Sequence, residues 1–441
     1  MFLASVLLLL FAAGPASAAL PVQHWTRPDG VRVWLIESPV LPMVDVQVDF
    51  DAGGRRDPPG QGGLAYVTAH LTGKGVRASG DRRALDENEL SEAWADLGAS
   101  FGASAGSDRF SFTLRSLTDA DLLSRVVTLA ARQIGEPAFP ADVWQRERER
   151  LAASLRESRT RPGTLAEEAF GQAVYRDHPY ANDMTEASLA RIDVADMRRH
   201  HAILQPCRAR VSIVGAVSRA QADALAASLL ARLPAGTCAP LPPVAEVQAL
   251  AAPAERRLPF ASAQAHVLMG QPGYKRDDPD YFALLVGNYI LGGGGFVSRL
   301  TTEVREKRGL SYSVYSYFSP GLHAGAFTVG LQTRPEQAEQ AIAVARDVVK
   351  RFVAEGPTAE ELQAAKDFLI GGYALRIDSN RKLLDNLAQI AWYGLPLDYL
   401  QTWPGEVQKV TLADIRAAFA RKLQPDRMVT VVVGGGPAAA R

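Results

Sequence analysis

Histidine and cysteine, the side chains most typical of zinc sites, are few and scattered in this sequence, with seven His and two Cys. His70 stands alone on a short apolar segment, where an imidazole is more often satisfied by its helix neighbours than used as a metal ligand. His200 and His201 are adjacent, so on a helix their side chains point in different directions. Cys207 and Cys238 are too few for a four-cysteine zinc site, and they are compatible with one disulfide or with two free thiols. Residue types alone therefore show no complete catalytic set.

A run of four glycines, Gly292, Gly293, Gly294 and Gly295, is the other feature that could serve chemistry. The run lacks the Gly-Lys-Ser/Thr ending of a phosphate-binding loop and the spacing of a dinucleotide fingerprint. Glycines in such a row allow the backbone to turn tightly or to flex beside a bound peptide. We interpret the run as a turn and not as a nucleotide site.

Length and composition limit the classes of partner. The chain has 441 residues, 47% of them hydrophobic and 22% charged, which suits two or three domains with a sizeable core. Lys plus Arg and Asp plus Glu number 48 each, so the net charge is zero. A balanced surface does not attract nucleic acid or an anionic membrane, and we expect protein, peptide or small-molecule partners.

The sequence repeats itself, and the repeat predicts the elements that position these residues. Residues 192–215 and 410–434 each read as a helix opening with Ala-Asp, a Gln-Pro stop and an apolar strand that ends in Gly. Residues 110–134 and 327–352 each read as a strand, a polar turn and an amphipathic helix. Long charged helices follow both, near residues 140–158 and 358–376.

The repeat predicts an α+β fold of two similar domains, each a mainly antiparallel sheet with helices packed on one face. We place the N-terminal domain at residues 19–233 and the C-terminal domain at residues 258–441. Residues 234–257 are rich in Pro and Ala and lack periodicity, which predicts a linker.

The N-terminal segment predicts export. An apolar run ends in Ala16, Ser17 and Ala18, the small residues that precede a signal-peptidase site, so residues 1–18 are a predicted signal peptide and Ala19 the mature start. No Lys or Arg precedes the run, so an uncleaved anchor stays as the alternative. We expect a periplasmic or secreted protein.

Residues 60–75, GQGGLAYVTAHLTGKG, resemble the metal-binding helix of the pitrilysin, insulinase and mitochondrial-processing-peptidase family. In that family the helix carries His-x-x-Glu-His, where two His bind zinc and the Glu is the general base. The resemblance places Tyr66, Ala69 and His70 at these three positions. One ligand and the base are replaced, so the resemblance implies a degenerate zinc motif.

The resemblance also implies a third ligand, a Glu from a distant helix within residues 139–162. Matching the Phe-Pro start and Arg-Pro end of this segment places Ser154 at that position. Glu147 and Glu157 lie on roughly the same helix face, so another register stays open. In either register His70 plus one Glu leaves zinc under-coordinated and without a base.

The C-terminal half is similar to the same family over residues 287–317, GNYILGGGGFVSRLTTEVREKRGLSYSVYSY. The resemblance implies that Arg305 and Tyr312 bind the substrate backbone, since guanidinium and phenol can hold a peptide carbonyl or a developing oxyanion. The bland alternative is that Arg305 belongs to a solvated charge run and Tyr312 packs in the sheet.

These features predict a non-catalytic subunit without a cofactor of its own. It would orient peptide substrate for a homologous partner that carries zinc. Two alternatives stay open, a weak or atypical zinc peptidase that acts alone and a non-enzymatic peptide-binding scaffold.

Overall fold

The computed structural model describes residues 21–234, 236 and 238–435. The predicted signal peptide lies outside these residues. Among the helices in this part of the chain, none is both long and apolar enough to cross a membrane.

Alternating apolar and polar residues build a six-stranded first sheet. In β3, for example, Val44, Val46 and Val48 face the helices of the same half, while Asp45 and Gln47 lie between them on the other face. The sheet has the order β1-β2-β6-β3-β5-β4. Its strands are β1 (Gln23–Thr26), β2 (Arg32–Glu37), β3 (Met43–Phe50), β4 (Ser100–Ala105), β5 (Phe110–Leu117) and β6 (Arg210–Gly215).

The second sheet repeats the order of the first without β1. Its order is β7-β11-β8-β10-β9, so that β7 corresponds to β2, β11 to β6 and β9 to β4. In each sheet one pair, β2 with β6 or β7 with β11, is parallel and the other pairs are antiparallel. Its strands are β7 (Ala254–Leu258), β8 (Ala265–Pro272), β9 (Ser313–Phe318), β10 (Ala326–Thr333) and β11 (Val429–Val433). The predicted α+β architecture of two similar, mainly antiparallel sheets is confirmed.

The helices follow the same duplication. The predicted charged helices are α4 and α11, and the Ala-Asp helices before the Gln-Pro stops are α7 and α14. The first half contains α1 (Leu64–Thr72), α2 (Glu87–Asp96), α3 (Ala120–Gly135), α4 (Ala141–Ser158), α5 (Pro162–Tyr175), α6 (Glu186–Arg191), α7 (Val194–His201) and α8 (Arg219–Leu230). The second half contains α9 (Tyr281–Asn288), α10 (Ala338–Glu355), α11 (Ala359–Gly371), α12 (Asn380–Tyr393), α13 (Tyr399–Lys409) and α14 (Leu412–Lys422).

The two halves exchange one helix each, which the sequence analysis did not foresee. Helix α5 of the first half packs on the second sheet, with Phe170 and Val174 against Leu268 and Val431. Helix α12 of the second half packs on the first sheet, where Leu387 meets residues of β2 and β6. Each sheet therefore has its own helices on one face and part of a borrowed helix on the other. This exchange fixes the two halves against each other through buried apolar surface.

The segment between the halves differs in detail from the predicted linker. Residues 254–257 of the linker already belong to β7, which pairs with β11. At the other end, Cys207 and Cys238 form a disulfide across 31 residues. The disulfide joins the turn before β6 to the start of the linker.

Candidate functional site

Helix α1 is held in place by a buried carboxylate. Asp57 accepts hydrogen bonds from the amides of Gly63 and Ala65, both at 2.8 Å, which satisfies free donors at the helix start. Gly63 has a φ of 96°, a conformation that favours glycine. Burial raises the pKa of Asp57 to about 6, although the same amides lower it.

Helix α1 brings the three degenerate motif positions together as the helical spacing predicts. The rings of Tyr66 and His70 lie parallel on one face of the helix, with their centroids 6.4 Å apart. Tyr66 is 45% exposed, whereas Ala69 is buried in the core beneath the first sheet. A phenol and a methyl group thus occupy the positions of one ligand and the base.

Glu147, and not Ser154, is the residue of α4 that meets His70. Nε2 of His70 lies 2.8 Å from Oε2 of Glu147, and Glu147 is buried. Ser154 lies exposed two helical turns further along α4. Seven residues are almost two full turns, so both residues project from the same side of the helix. Because the two positions share one side of the helix, the sequence could not distinguish them. Aligning the ends of the segment placed the third ligand at Ser154 and left Glu147 as an alternative.

Three cationic side chains surround the carboxylate of Glu147. Arg150 donates from Nε at 2.9 Å and from Nη2 at 2.5 Å to Oε2. Nζ of Lys74 lies 3.5 Å and Nη2 of Arg146 lies 3.7 Å from Oε1. Burial alone raises the pKa of Glu147, but the hydrogen bonds from His70 and Arg150 and the charge of Lys74 outweigh it and lower the pKa to about 2. Glu147 is therefore ionised at neutral pH.

This arrangement does not fit a zinc ion. Nε2 of His70 and Oε2 of Glu147 face each other at 2.8 Å, and Oε2 also accepts from Arg150, so both of these ligand atoms are already engaged. Nη2 of Arg150 lies 3.3 Å from that same nitrogen, and its permanent charge repels a second cation. Across the described residues, no group of three or more His, Cys, Asp or Glu could hold a metal. With Ala69 unable to take a proton, hydrolysis here lacks both metal and base.

The structure also brings Arg305 and Tyr312 together. Arg305 lies in a wide helical turn, Thr301–Glu306, and Tyr312 comes directly before β9. The guanidinium carbon of Arg305 lies 4.7 Å from the centroid of the Tyr312 ring and 4.7 Å from that of Phe296. Phe296 was not predicted as a site residue, although its place directly after the four glycines was a signal.

Arg305 differs from its charged neighbours. Lys307 and Arg308 both bind the carboxylate of Glu303, at 2.7 Å each. The guanidinium of Arg305 makes no hydrogen bond or ion pair with any residue that the structure describes. Tyr312 is 79% exposed, so it is not packed in the sheet. The bland alternative of a charge run beside a buried Tyr does not describe this pair.

The predicted turn is only partly found, since Gly292 and Gly293 end a wide helical turn, Tyr289–Gly293, that continues α9, and Gly294 and Gly295 then lead into Phe296. Gly292 packs so closely on Ser316 of β9 that a Cβ would collide with its backbone. Asn288 secures the same place, because its Nδ2 donates to the carbonyl of Ser316 at 3.0 Å. Gly295 has a φ of 60° and open space beside it. The turn therefore presents Phe296 at the surface beside Arg305.

Comparison with known proteins decides the family. Residues 32–188 match insulinase, peptidase family M16, and residues 192–369 match the peptidase M16 inactive domain. A crystal structure of a peptidase M16 inactive domain from Pseudomonas fluorescens is similar, with a TM-score of 0.88 and 34% sequence identity. That similarity covers 96% of this chain and 99% of the other. The chain belongs to peptidase family M16.

Two further M16 relatives carry different names. The chain is 28% identical to the non-peptidase homolog YmxG of Helicobacter pylori over 94% of each protein. It is also 28% identical to an uncharacterized zinc protease of Streptomyces coelicolor, over 94% of this chain and 89% of that relative. Names alone therefore do not say which relatives cleave peptides, and the site has to decide for this chain.

Within family M16 this chain is an inactive member. Two of the four groups that the zinc motif needs, one His and the third-ligand Glu, persist as His70 and Glu147. They are bound to each other and to Arg150, and the positions of the other two groups hold Tyr66 and Ala69.

Proposed function

We propose that this chain is the non-catalytic subunit of a two-chain M16 peptidase and that it binds and orients peptide for a homologous partner that carries zinc. The observation that carries the proposal is the unpaired guanidinium of Arg305 between two exposed rings. At the degenerate zinc motif, His70, Glu147 and Arg150 are bound to one another. Arg305 and Tyr312, by contrast, have polar groups that could still bind a peptide.

The stack prepares Arg305 for binding. Stacking on Phe296 and Tyr312 restricts the orientation of the guanidinium plane, so little side-chain freedom is lost when its N–H groups bind a carbonyl. The hydroxyl of Tyr312 adds a donor beside it. Phe296 and its neighbour Val297 are 67% and 73% exposed, and adjoining exposed apolar side chains are typical of an interaction surface, whereas single ones are common on any protein. Such side chains fit a surface that a peptide or a partner covers.

One sheet edge supports binding of an extended chain. Strand β4 ends the first sheet with one row of backbone groups that pairs with no other strand, whereas β9 is covered at Ser316 by Gly292 and Asn288. Lys and Pro are two of the features that protect natural edge strands, and β4 contains neither. An extended peptide can add to such an edge through main-chain hydrogen bonds.

The proposal places the complex outside the cytoplasm. A disulfide such as Cys207–Cys238 persists in an oxidising compartment, and the predicted signal peptide points the same way.

The decisive experiment mixes this chain with an M16 homologue that has an intact His-x-x-Glu-His and measures cleavage of an unfolded fluorogenic peptide. We expect neither this chain alone nor metal-stripped mixtures to cleave, and we expect the mixture with zinc to exceed the partner alone. Arg305→Ala should lower the gain about tenfold or more, as loss of a donor to a developing oxyanion does. Arg308→Ala is the matched control, because Arg308 is engaged with Glu303.

Several outcomes would contradict the proposal. No gain on mixing, together with tight peptide binding by this chain alone, favours a scaffold. Stoichiometric zinc in the isolated chain, with turnover lost in His70→Ala, favours a peptidase that acts alone. Equal loss in the Arg305 and Arg308 variants would remove the specific role of Arg305.

A further inference from the structure

The first sheet has a polar face that no other part of the fold accounts for. Helix α12 packs its leucines on β2 and β6, where Trp34, Ile36 and Val214 are apolar. Toward β3, β5 and β4 the same face turns polar. The side chains that point away from the core of the first half include Gln47, Asp49, Ser104, Ser111 and Thr113.

A trough runs over this polar face between the two halves. One cavity of about 490 Å³ is lined by Ser104, Arg109 and Ser111, and its opposite wall includes Tyr393 at the end of α12. A second cavity of about 260 Å³ continues along the strands, and the two share Gln47 and Thr113. Together they reach the size of sites that hold small ligands or short peptides.

One residue that lines the trough, Arg109, has a buried donor that makes no hydrogen bond, and so does its neighbour Trp392. Among the described residues, Nη1 of Arg109, Nε1 of Trp392 and Oγ of Ser212 are buried and make no hydrogen bond. Arg109 and Trp392 are neighbours, with the guanidinium carbon 5.4 Å from the ring centroid. A buried donor without an acceptor costs free energy, so this end of the trough suits a ligand oxygen.

The local charge favours an anion. Arg109 and Arg210 both lie against the ring of Trp392, and the buried carboxylate nearest to Arg109 is Asp49, 3.6 Å from Nη1. Asp49 already accepts hydrogen bonds from Ser111 and Gln47. Asp51 also attracts Arg210 but is paired with Arg55 and Arg56, so the cations of this cluster still outnumber Asp49 and Asp51.

The other negative groups at the trough are of three kinds. In the second cavity Asp45 binds Arg115, and Asp385 lines the wall together with Arg381. Asp108 binds Nε of Arg55 at 2.9 Å, the hydroxyl of Tyr180 at 2.8 Å and the amide of Leu322 at 3.0 Å. The last residues of α5 and α12 also line the larger cavity. A helix end carries about half a charge at most, less than one guanidinium.

The second sheet closes the equivalent place with tyrosines. Thr113 pairs with Gly102 across β5 and β4, and the corresponding pair in the second sheet is Gly330 with Tyr315. The ring of Tyr315 lies directly over Gly330. Likewise Tyr317 stands where the first sheet has Ser104. Small residues keep the trough open in the first half only.

We infer that this trough binds a short peptide by its free C-terminal carboxylate, with Arg109 as the group that holds the carboxylate. The hydroxyls and the amide of Gln47 along the strands can meet peptide N–H and C=O groups. The binding involves neither Arg305 nor a partner chain, so it stands apart from the proposed subunit role.

Calorimetric titration of the full mature chain tests the inference with three probes: N-acetyl-tetra-alanine with a free carboxylate, its C-terminal amide, and N-acetyl-alanine. We expect the free tetrapeptide to bind at least about tenfold more tightly than the amide, since a hydrogen bond to a charged group distinguishes them. N-acetyl-alanine should bind more weakly than the tetrapeptide because it leaves the rest of the trough empty.

Variants separate the site from general effects. Arg109→Gln should remove the preference for the acid over the amide. Because Arg109 also balances Asp49 and its loss could disturb folding, Ser104→Tyr provides a second variant that copies Tyr317 and should block binding with Arg109 intact. Arg125→Gln on the exposed side of α3 should change nothing. Equal binding of acid and amide, unchanged binding in Ser104→Tyr, no binding of the tetrapeptide, or equal binding of N-acetyl-alanine would each overturn the inference.

Discussion

The two halves of this M16 chain share a strand order and differ in where their side chains are free. In the first half the motif positions of α1 are engaged, with His70, Glu147 and Arg150 bound to one another. In the second half Tyr312 is exposed and Arg305 is half-buried against its ring, and neither side chain pairs with another polar group of the described chain. The polar groups at the motif of the first half are thus already paired, whereas those of Arg305 and Tyr312 in the second half are not.

The sheet faces show the reverse difference. The first sheet has an open polar trough beside Thr113, and the second sheet fills the matching place with the ring of Tyr315 over Gly330. The difference comes from a few positions where the first sheet has a small residue and the second sheet has a tyrosine, while the strands pair in the same way. The duplicated fold therefore constrains the side chains of the core strongly and those of these two surfaces weakly.

The largest effect is expected from restoring the zinc ligands and the base at the closed site, that is, the cluster of His70, Glu147 and Arg150 beside Tyr66 and Ala69. Tyr66→His with Ala69→Glu and Arg150→Ala restores two His and a base and releases Oε2 of Glu147 from Arg150. We expect the wild type to purify without bound zinc and the triple variant to take up one zinc per chain, measured by elemental analysis. Adding Glu147→Gln should abolish the uptake. Zinc in the wild type, or in the variant that lacks Glu147, would contradict the ligand assignment.

The exchanged helices test whether the halves are independent. Leu387→Ala on α12 removes a fully buried side chain from the surface of the first sheet and should lower the free energy of unfolding by about 2–5 kcal/mol. Urea unfolding should report one transition for both halves, because each half lends a helix to the other. Leu375→Ala, at a mostly exposed position, should change stability by less than about 0.5 kcal/mol. Two separate transitions would show that the exchange does not couple the halves.

The sequence predicted the duplication well because each repeated element has a signal within a few neighbouring residues. Helix starts, Gln-Pro stops and β-branched runs recur in both halves, and the structure confirms them at α7 with β6 and at α14 with β11. The choice between Ser154 and Glu147 failed for a local reason, since positions two turns apart share one helix face. The structure resolves it because only one of them meets His70.

The non-local features were beyond the sequence for a different reason. Helices α5 and α12 are amphipathic in either arrangement, and no pattern within a helix says which sheet it covers. The trough depends on pairs such as Thr113 with Gly102, whose meaning appears only when the strand register is known. Such features follow from packing and not from propensity.

The turns before β6 and β11 allow the contribution of one cross-link to stability to be compared between the two halves. In the first half this turn carries the disulfide of Cys207 with Cys238, and in the second half it carries a surface ion pair of Lys350 with Asp426. Cys207→Ser should lower the free energy of unfolding by about 2–4 kcal/mol, because a closed loop restricts the unfolded chain. Asp426→Asn should have a much smaller effect, since exposed ion pairs contribute little. Equal effects in chemical denaturation would show that the disulfide adds no constraint.

The smallest expected effect concerns the charge of the closed site and depends on pH. The pKa of Glu147 is about 2 in the folded chain and near 4.5 when unfolded, so its contribution to stability is present above pH 4.5 and is lost as the pH falls toward 2. Glu147→Gln should therefore cost about 1–3 kcal/mol at pH 7, where it leaves His70 and Arg150 without their acceptor. The gap to wild type should narrow below pH 4.5 in urea denaturation at a series of pH values. Glu157→Gln, exposed on the same helix, should show no such gap. A gap that stays constant down to pH 3 would mean that Glu147 contributes by shape and not by charge, and the closed site of the first half would then not be an electrostatic replacement for a metal.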